Sequence, residues 1–170
     1  MQKRFFSADV VDIELLYDHA AIAVLYHYAK KFKIKTIIDG VNLQTEGIKI
    51  PDNWRWYKYD SMNIKAISRG ITYVNYPYFN TFDRVKAKAL GFKKVSLLNH
   101  MKYQKNDALG ILESIYGYTR YSGKHEESTF TKFYQDIILP NKFGIDKRKL
   151  HLSDLLLNGE ITREKGLETL

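Results

Sequence analysis

The sequence feature that most constrains the fold is the order of a helix, a strand and a polar loop near the start of the chain. Between Asp9 and Phe32 apolar side chains recur at helical spacing, with Ser7 as the predicted N-cap. The short β-branched segment Ile34–Ile38 (IKTII) then predicts a buried strand. The segment Gly40–Gly47 (GVNLQTEG) predicts a loop at the carboxyl end of that strand. This order is typical of the last step of an α/β unit, where ligands of open sheets bind.

The rest of the chain predicts mostly helices. Gly91, Gly117 and Gly159 lie where helices should end, and Pro140 is expected to stop another. The predicted helices cover residues 61–69, 81–90, 106–116, 129–139, 147–157 and 162–170, and a second strand is predicted over 94–98. We therefore predict an α/β chain with a mainly helical C-terminal region.

The composition limits which kinds of partner and which cellular compartment we expect for this protein. The 170 residues are 45% hydrophobic, enough for a real core, and carry a formal net charge of +8. That charge suggests an anionic partner, although a solvated lysine-rich surface explains it equally well. There is no cysteine, which excludes disulfides and a cysteine-ligated zinc site within these residues. No segment reads as a signal peptide or a membrane span, and we expect a cytoplasmic protein.

The first candidate site is the loop Gly40–Gly47. A glycine-bracketed loop after a strand lets backbone N–H groups of residues near Gly40 approach an anion or a substrate closely. Asn42 and Glu46 could orient a substrate or hold Mg²⁺ through oxygen ligands. The alternative is an ordinary turn in which Asn42 tolerates awkward dihedral angles.

The second candidate is the polar segment Tyr121–Ser128 (YSGKHEES), which leads into a helix. Lys124 could stabilise a phosphate or a developing negative charge, and His125 could move a proton. Glu126 and Glu127 could position a cation or a sugar hydroxyl. The alternative is a solvated loop whose glutamates favour a helix start.

The third candidate is the basic segment Asn141–Lys149 (NKFGIDKRK). Lys142, Lys147 and Arg148 could hold a phosphate or carboxylate, with arginine binding in bidentate fashion. Cations are unfavourable at a helix start, and this mismatch favours anion binding over a plain basic N-terminus. We interpret the leucine-rich stretch His151–Leu170 as structural.

Several other kinds of site have no support in the sequence. The HExxH, GxSxG, Walker A and GxGxxG patterns are all missing from these residues, and we assign no metal site. His19, His27 and His100 are isolated and receive no role. No predicted helix carries the concentrated basic stripe of proteins that read duplex DNA, so we do not expect nucleic-acid binding despite the charge.

Taken in order, the C-terminal segments resemble the end of the bacterial N-acetyl sugar amidotransferases. The resemblance is sharpest after residue 120, and Gly40–Gly47 and the aromatic segment Trp54–Asp60 fit it as well. The matching motif residues are Lys124 to Ser128, Thr131, Phe133, Gln135, Leu139-Pro140, Lys142 to Gly144, Asp146 to Arg148, His151 to Ser153 and Ile161 to Glu164.

The resemblance implies a branch of the PP-loop ATP pyrophosphatase superfamily. Such enzymes use ATP and Mg²⁺ to adenylate an amide or carboxyl oxygen of a nucleotide-activated sugar, and ammonia then displaces AMP. Glutaminase and cyclase-like partners supply the ammonia, and the products enter lipopolysaccharide O-antigen or pseudaminic-type flagellin glycans. By the same resemblance Lys124, His125 and Glu127 would be catalytic. The residues that would bind substrate or phosphate are Gly40, Asn42, Glu46, Lys142, Lys147 and Arg148.

This sequence departs from the family at two points. Family members begin with cysteine pairs of zinc-site type and carry an SGGxDS loop for the ATP phosphates, and neither occurs here. We therefore expect residues 1–60 to be the C-terminal part of a nucleotide-binding α/β domain with a partial Rossmann-like PP-loop layer. Residues 61–170 would be a mainly helical substrate or partner region. A truncated or split enzyme, inactive alone and completed by a separate PP-loop half, is the leading hypothesis; a non-catalytic anion-binding module is the alternative.

Overall fold

The computed structural model describes residues 1–69, 71, 73–121 and 128–170. The chain forms two compact units, each built from two stretches of sequence. The first unit contains Met1–Ile38 and Pro51–Val95, and the second contains Asp39–Ile50 and Ser96–Leu170. The expected functional parts, a nucleotide-binding part over residues 1–60 and a substrate or partner region over residues 61–170, are not tested by these units and remain a prediction.

The first unit combines helices with a small sheet. Its elements are helices α1 (Gln2–Ser7), α2 (Leu15–Lys31), α4 (Met62–Ile67) and α5 (Thr81–Ala89), a 3₁₀ turn at Asp52–Trp54, and strands β1 (Thr36–Asp39) and β2 (Lys93–Ser96). The last residues of both strands, Asp39 and Ser96, count with the second unit. The strands pair as a two-stranded parallel sheet. One small apolar cluster holds the sheet against α2: Ala29, Ile37 and Phe92 are buried together, with Tyr26 and Ala87 packed on them.

The buried histidine of α2 ties three segments of the first unit together. His19 is fully buried. Its Nε2 accepts a hydrogen bond from the backbone N–H of Phe79 at 3.0 Å, which requires Nδ1 to carry the proton and donate to the carbonyl of Lys58 at 2.9 Å. Burial lowers the pKa of His19, opposed by its hydrogen bond to Lys58. The ring therefore works as a neutral connector in the core, in line with its lack of an assigned functional role.

The second unit is helical. Its elements are α3 (Leu43–Glu46), a 3₁₀ turn at Leu97–His100, α6 (Lys105–Tyr116), α7 (Thr129–Phe133), a π-helical segment (Tyr134–Ile138), α8 (Leu139–Phe143), α9 (Lys147–Leu157) and α10 (Arg163–Glu168). Tyr134, Leu139 and Ile145 form its most buried apolar residues. Gly117, Gly144 and Gly159 have positive φ angles of 65°, 64° and 71° just beyond helix ends, as helix C-caps require.

The prediction that Pro140 ends a helix is wrong. The chain remains helical from Thr129 to Phe143, with Pro140 in the first turn of α8. Proline lacks an N–H and its ring collides with the carbonyl four residues earlier in a regular α-helix. Here the wider π-helical segment precedes it, and the N–H of Leu139 reaches back to the carbonyl of Tyr134. The π turn accommodates the proline, and Gly144 ends the helix instead.

The long first helix also begins later than predicted. Asp9 has a φ angle of +54°, which breaks the helix and leaves Ser7 as the last residue of the separate helix α1. The α/β class and the predominance of helices are confirmed. Among the described residues, no helix is both long and apolar enough to cross a bilayer.

Candidate functional site

The loop after β1 folds into a short capped helix. Asn42 is 5% exposed, and its Oδ1 accepts hydrogen bonds from the backbone N–H and the hydroxyl of Thr45 at 2.9 and 3.2 Å. Its Nδ2 donates to the carbonyl of Gly40 at 3.3 Å. Asn42 is therefore an N-cap of α3 whose amide is used within the loop. Glu46, in contrast, lies exposed at the end of α3.

Helix α9 anchors this loop from a buried position. Asp154 is 3% exposed, and its Oδ1 accepts a hydrogen bond from the backbone N–H of Ile48 at 2.8 Å. A Cβ at Gly47 would lie 3.6 Å from the same carboxylate oxygen and 2.5 Å from the carbonyl oxygen of Leu43. The absence of a side chain at Gly47 thus permits the chain to turn tightly beside Asp154.

Two further side chains fix the start of α3. Asn99 Oδ1 accepts a hydrogen bond from the backbone N–H of Leu43 at 2.8 Å. Asn158, the residue that caps the end of α9, donates through Nδ2 to the carbonyl of Asp154 at 2.9 Å and to the carbonyl of Leu43 at 3.5 Å. Residues far apart in sequence thereby hold one polar loop in a single conformation.

A tyrosine lies within the electrostatic reach of two glutamates beside this loop. Burial raises the pKa of Tyr103, and the negative charges of Glu160 and Glu46 raise it further. Glu160 is itself held in place, because its carboxylate accepts hydrogen bonds from the N–H of Lys105 at 2.8 Å and from Asn106 Nδ2 at 3.2 Å. A neutral phenol can donate and accept hydrogen bonds, as a sugar hydroxyl requires.

The basic segment forms the connection from α8 to α9. Gly144 makes the turn, and Asp146 caps α9 by accepting from the N–H of Arg148 at 3.0 Å. The Arg148 guanidinium also binds the Asp146 carboxylate through Nε at 3.0 Å and Nη2 at 2.8 Å. Lys142 is exposed with its Nζ 5.6 Å from the Phe143 ring centroid, and Lys147 is the first residue of α9. Asp146 thus resolves the mismatch of cations at a helix start.

Helix α9 joins the first and third candidate segments. Lys147 and Asp154 are seven residues apart on α9, which is close to two turns and about 10 Å along the axis. They therefore point to nearly the same side of the helix. The structure brings Gly40, Asn42 and Glu46 to the α9 region, with Lys147 and Arg148 at the start of the same helix.

The central part of the second candidate segment, residues 122–127, lies outside the described residues. Lys124, His125 and Glu127 belong to the stretch 122–127, and their roles remain predictions. Within the described ranges no group of three His, Asp or Glu side chains could hold a metal ion, and the sequence contains no SGGxDS loop. No step of ATP chemistry is assigned to the described residues, and the ATP and Mg²⁺ of the resembling family remain a prediction.

Sequence reasoning missed most of the residues that shape this site. Asp154 lies in the stretch His151–Leu170, which we interpret from the sequence as structural. A lone aspartate in a leucine-rich helix, directly after the motif residues His151 to Ser153, nevertheless indicates a buried polar contact. Tyr103, Glu160 and Asn99 carry no such signal, because only the fold places them beside α3.

Comparison with known proteins matches the C-terminal part of the chain to a family model. Residues 127–170 match the family described as "LPS biosynthesis protein WbpG-like, C-terminal domain". A search of curated proteins and a search of solved structures each found no match. The matched stretch is the one whose motif series carried the resemblance to sugar amidotransferases. Over these residues the match supports the coarser part of the prediction, a family of lipopolysaccharide biosynthesis.

Proposed function

We propose that this chain is the C-terminal portion of an ATP-dependent N-acetyl sugar amidotransferase of lipopolysaccharide biosynthesis, working in the cytoplasm. In this proposal the second unit binds the nucleotide-activated sugar. ATP would be bound and used by a separate PP-loop half, and glutaminase and cyclase-like partners would supply the ammonia. The family match over residues 127–170 supports the pathway, and the ordered motif series supports the activity.

The observation that carries the proposal is the arrangement along α9. The basic turn with Lys147 and Arg148 opens the helix, and Asp154 holds the Gly40–Gly47 loop about two turns further on. The spacing of about 10 Å suits a sugar diphosphate whose phosphates meet the basic turn while the sugar extends toward Glu46. Arg148 would exchange part of its contact with Asp146 for a phosphate.

The proposed PP-loop half has a suitable surface in the first unit. Helix α2 is apolar on two opposite faces. One face packs in the core through Leu16, His19 and Ala23, and the other exposes a stripe of large apolar residues. The stripe consists of Tyr17, Val24, Leu25, Tyr28 and Phe32. Parallel sheets as small as this one are normally parts of larger, covered sheets. An α/β partner that extends the sheet and covers the stripe would satisfy both features.

Titration with a nucleotide-activated sugar tests the binding part of the proposal. UDP-N-acetylglucosamine is titrated calorimetrically against the wild type and against a Lys147→Ala/Arg148→Ala variant. We expect about tenfold weaker binding by the variant, because charge-assisted phosphate contacts are lost. A control variant, Arg163→Ala/Lys165→Ala, removes the same charge from α10 and should bind like the wild type. Equal affinity of all three proteins would contradict the assignment.

A non-catalytic binding module is the second candidate. The basic turn at the start of α9, with Lys147 and Arg148, is an observation that such a module explains without ATP chemistry. Such a module would hold an anionic sugar nucleotide or partner protein with Lys142, Lys147 and Arg148 and take no part in amidation. It gives the same titration result as the first proposal but yields no amidated sugar when the PP-loop half and ammonia are added.

A further inference from the structure

The first unit contains a cavity that the proposed function does not use. It lies between the C-terminal half of α2 and α5, close to the start of β2, and has a volume of about 220 Å³. Tyr26, Phe79 and Phe92 contribute its aromatic lining, whereas Lys30 and Lys86 bring positive charge from the two helices. All lining residues belong to the first unit.

The lining combines flat apolar surface with cations. The rings of Tyr26 and Phe79 lie 4.9 Å apart between centroids and are tilted by 32°. Phe92 is buried beside Ala29 and Ile37. Because these rings are held by the core, they offer a preformed surface against which a planar ring can stack without ordering loose side chains.

The ammonium groups of the two lysines are available to a ligand. Among the described residues, the side chains of Lys30 and Lys86 make no hydrogen bond or ion pair, and both are exposed. The acidic lining residue, Asp83, is already used, since its carboxylate accepts the backbone N–H of Asn80 in the capping box of α5. Two cations around one cavity repel each other and are stabilised when an anion binds there.

We propose that this cavity binds a planar heteroaromatic ligand that carries a phosphate, with the size of a pyrimidine mononucleotide. The ring would stack in the aromatic part, and the phosphate would lie between Lys30 and Lys86. The free mononucleotide and the nucleotide end of an activated sugar share this chemistry. The inference does not depend on the proposed amidotransferase function, because it uses other residues in the other unit.

Titration of UMP tests the inference. We expect UMP to bind the wild type with a dissociation constant on the order of 0.1 mM, because the cavity is small and UMP is no larger than a typical drug molecule. The Lys30→Ala/Lys86→Ala variant should bind about tenfold or more weakly. The control Lys31→Ala/Lys88→Ala removes equal charge from the same two helices without touching the cavity lining, and should bind like the wild type. Circular dichroism of each variant checks that the fold is intact.

A ligand series separates the two parts of the site. Uridine lacks the phosphate and inorganic phosphate lacks the ring, so each should bind at least tenfold more weakly than UMP. Phosphate that binds as tightly as UMP would overturn the inference, as would equal losses in the cavity and control variants or no UMP binding at millimolar concentration.

UDP-N-acetylglucosamine distinguishes the two sources of the ligand. Binding that weakens in Lys30→Ala/Lys86→Ala but not in Lys147→Ala/Arg148→Ala supports the cavity while contradicting the proposed sugar site. The reverse pattern, with no binding of UMP, overturns the cavity while leaving the proposed function intact.

Discussion

The carboxylate of Asp154 accepts a hydrogen bond from the backbone N–H of Ile48 across 106 residues of sequence. Through this bond, helix α9 holds the chain at the end of the Gly40–Gly47 loop. Asp154 is 3% exposed, so water is a poor substitute for its carboxylate as an acceptor. The conformation at the end of this loop therefore depends on a buried side chain of α9, in addition to the contacts of Asn42 and Asn99 at its start.

Replacing Asp154 should destabilise the protein measurably. The variant Asp154→Ala leaves the Ile48 N–H buried without its acceptor, and we expect a loss of about 1–3 kcal/mol in the free energy of unfolding. Asp154→Asn keeps an oxygen acceptor and should lose less. Urea unfolding measures both, with Glu168→Ala on α10 as an exposed control of small effect. Wild-type stability of Asp154→Ala would show that the contact does not hold the loop.

Two glycines provide a matched test of the backbone at the basic turn. Gly144 has a φ of +64°, whereas Gly110 lies within α6, and a Cβ meets nothing within 4 Å at either position. Only the backbone conformation separates them. Gly144→Ala should therefore cost about 1 kcal/mol of unfolding free energy, and Gly110→Ala should add about 0.5–1 kcal/mol. Thermal unfolding that shifts in the same direction for both variants would refute this explanation.

The ion pair of Asp146 and Arg148 predicts a dependence of stability on acid. The side-chain hydrogen bond from Arg148 lowers the pKa of Asp146, with the backbone N–H of Arg148 contributing. Because the folded pKa lies below the unfolded value of about 3.9, this stabilisation is present above that pH and disappears as the pH falls through the folded pKa.

The comparison of wild type with Asp146→Asn measures this effect. Asparagine is an equally good N-cap, so the variant removes the charge and keeps the cap. The stability advantage of the wild type should be constant at neutral pH and shrink below about pH 4. The same substitution at Asp107 on α6 serves as the control. An advantage at Asp146 that persists unchanged into strong acid would contradict the assignment.

The buried His19 predicts a second dependence, in a higher pH range. Burial is the main cause that lowers the pKa of His19 in the folded chain. Below about pH 6.5 the imidazole of His19 is therefore more fully protonated in the unfolded chain than in the folded chain. Folding stability should fall as the pH drops below this value. The non-titrating variant His19→Gln should lose less stability than the wild type between about pH 7.5 and 5.5. If the wild type and His19→Gln lost stability to the same extent over this pH range, the explanation would be wrong. The control variant His27→Gln, at an exposed position of the same helix, should follow the wild type.

The sequence predicts those elements whose ends carry a strong local signal. Helix α5 begins after Asn80 and ends before Gly91, and α9 begins after Asp146 and ends before Gly159, because side-chain caps and left-handed glycines act locally. The break at Asp9 and the π turn before Pro140 escaped prediction. Both depend on packing that offsets an unfavourable local choice, and a single sequence does not reveal it.

For the candidate site, too, the sequence predicts local features and does not predict the contacts made between distant segments. The sequence identified Gly40–Gly47 and the basic turn as polar segments next to elements where ligands bind. It could not show that α9 carries both, or that Asn42 and Arg148 already have partners in the fold. The partners Asp154 and Asn99 lie more than 50 residues from the loop atoms that they bind, and no local pattern specifies such pairs.

The most direct test of the central claim is an amidation assay on the assembled system. The chain is mixed with a separately expressed PP-loop half of a sugar amidotransferase, ATP, Mg²⁺, ammonium and UDP-N-acetylglucosamine or a related UDP-N-acetyl sugar. The sugar product, AMP and pyrophosphate are measured by mass spectrometry. We expect an acetamidino product with one AMP and one pyrophosphate per turnover from the mixture, and no ATP–pyrophosphate exchange from these 170 residues alone. Robust exchange by the chain alone, or a stable complex that never amidates any nucleotide-activated N-acetyl sugar, would contradict the account.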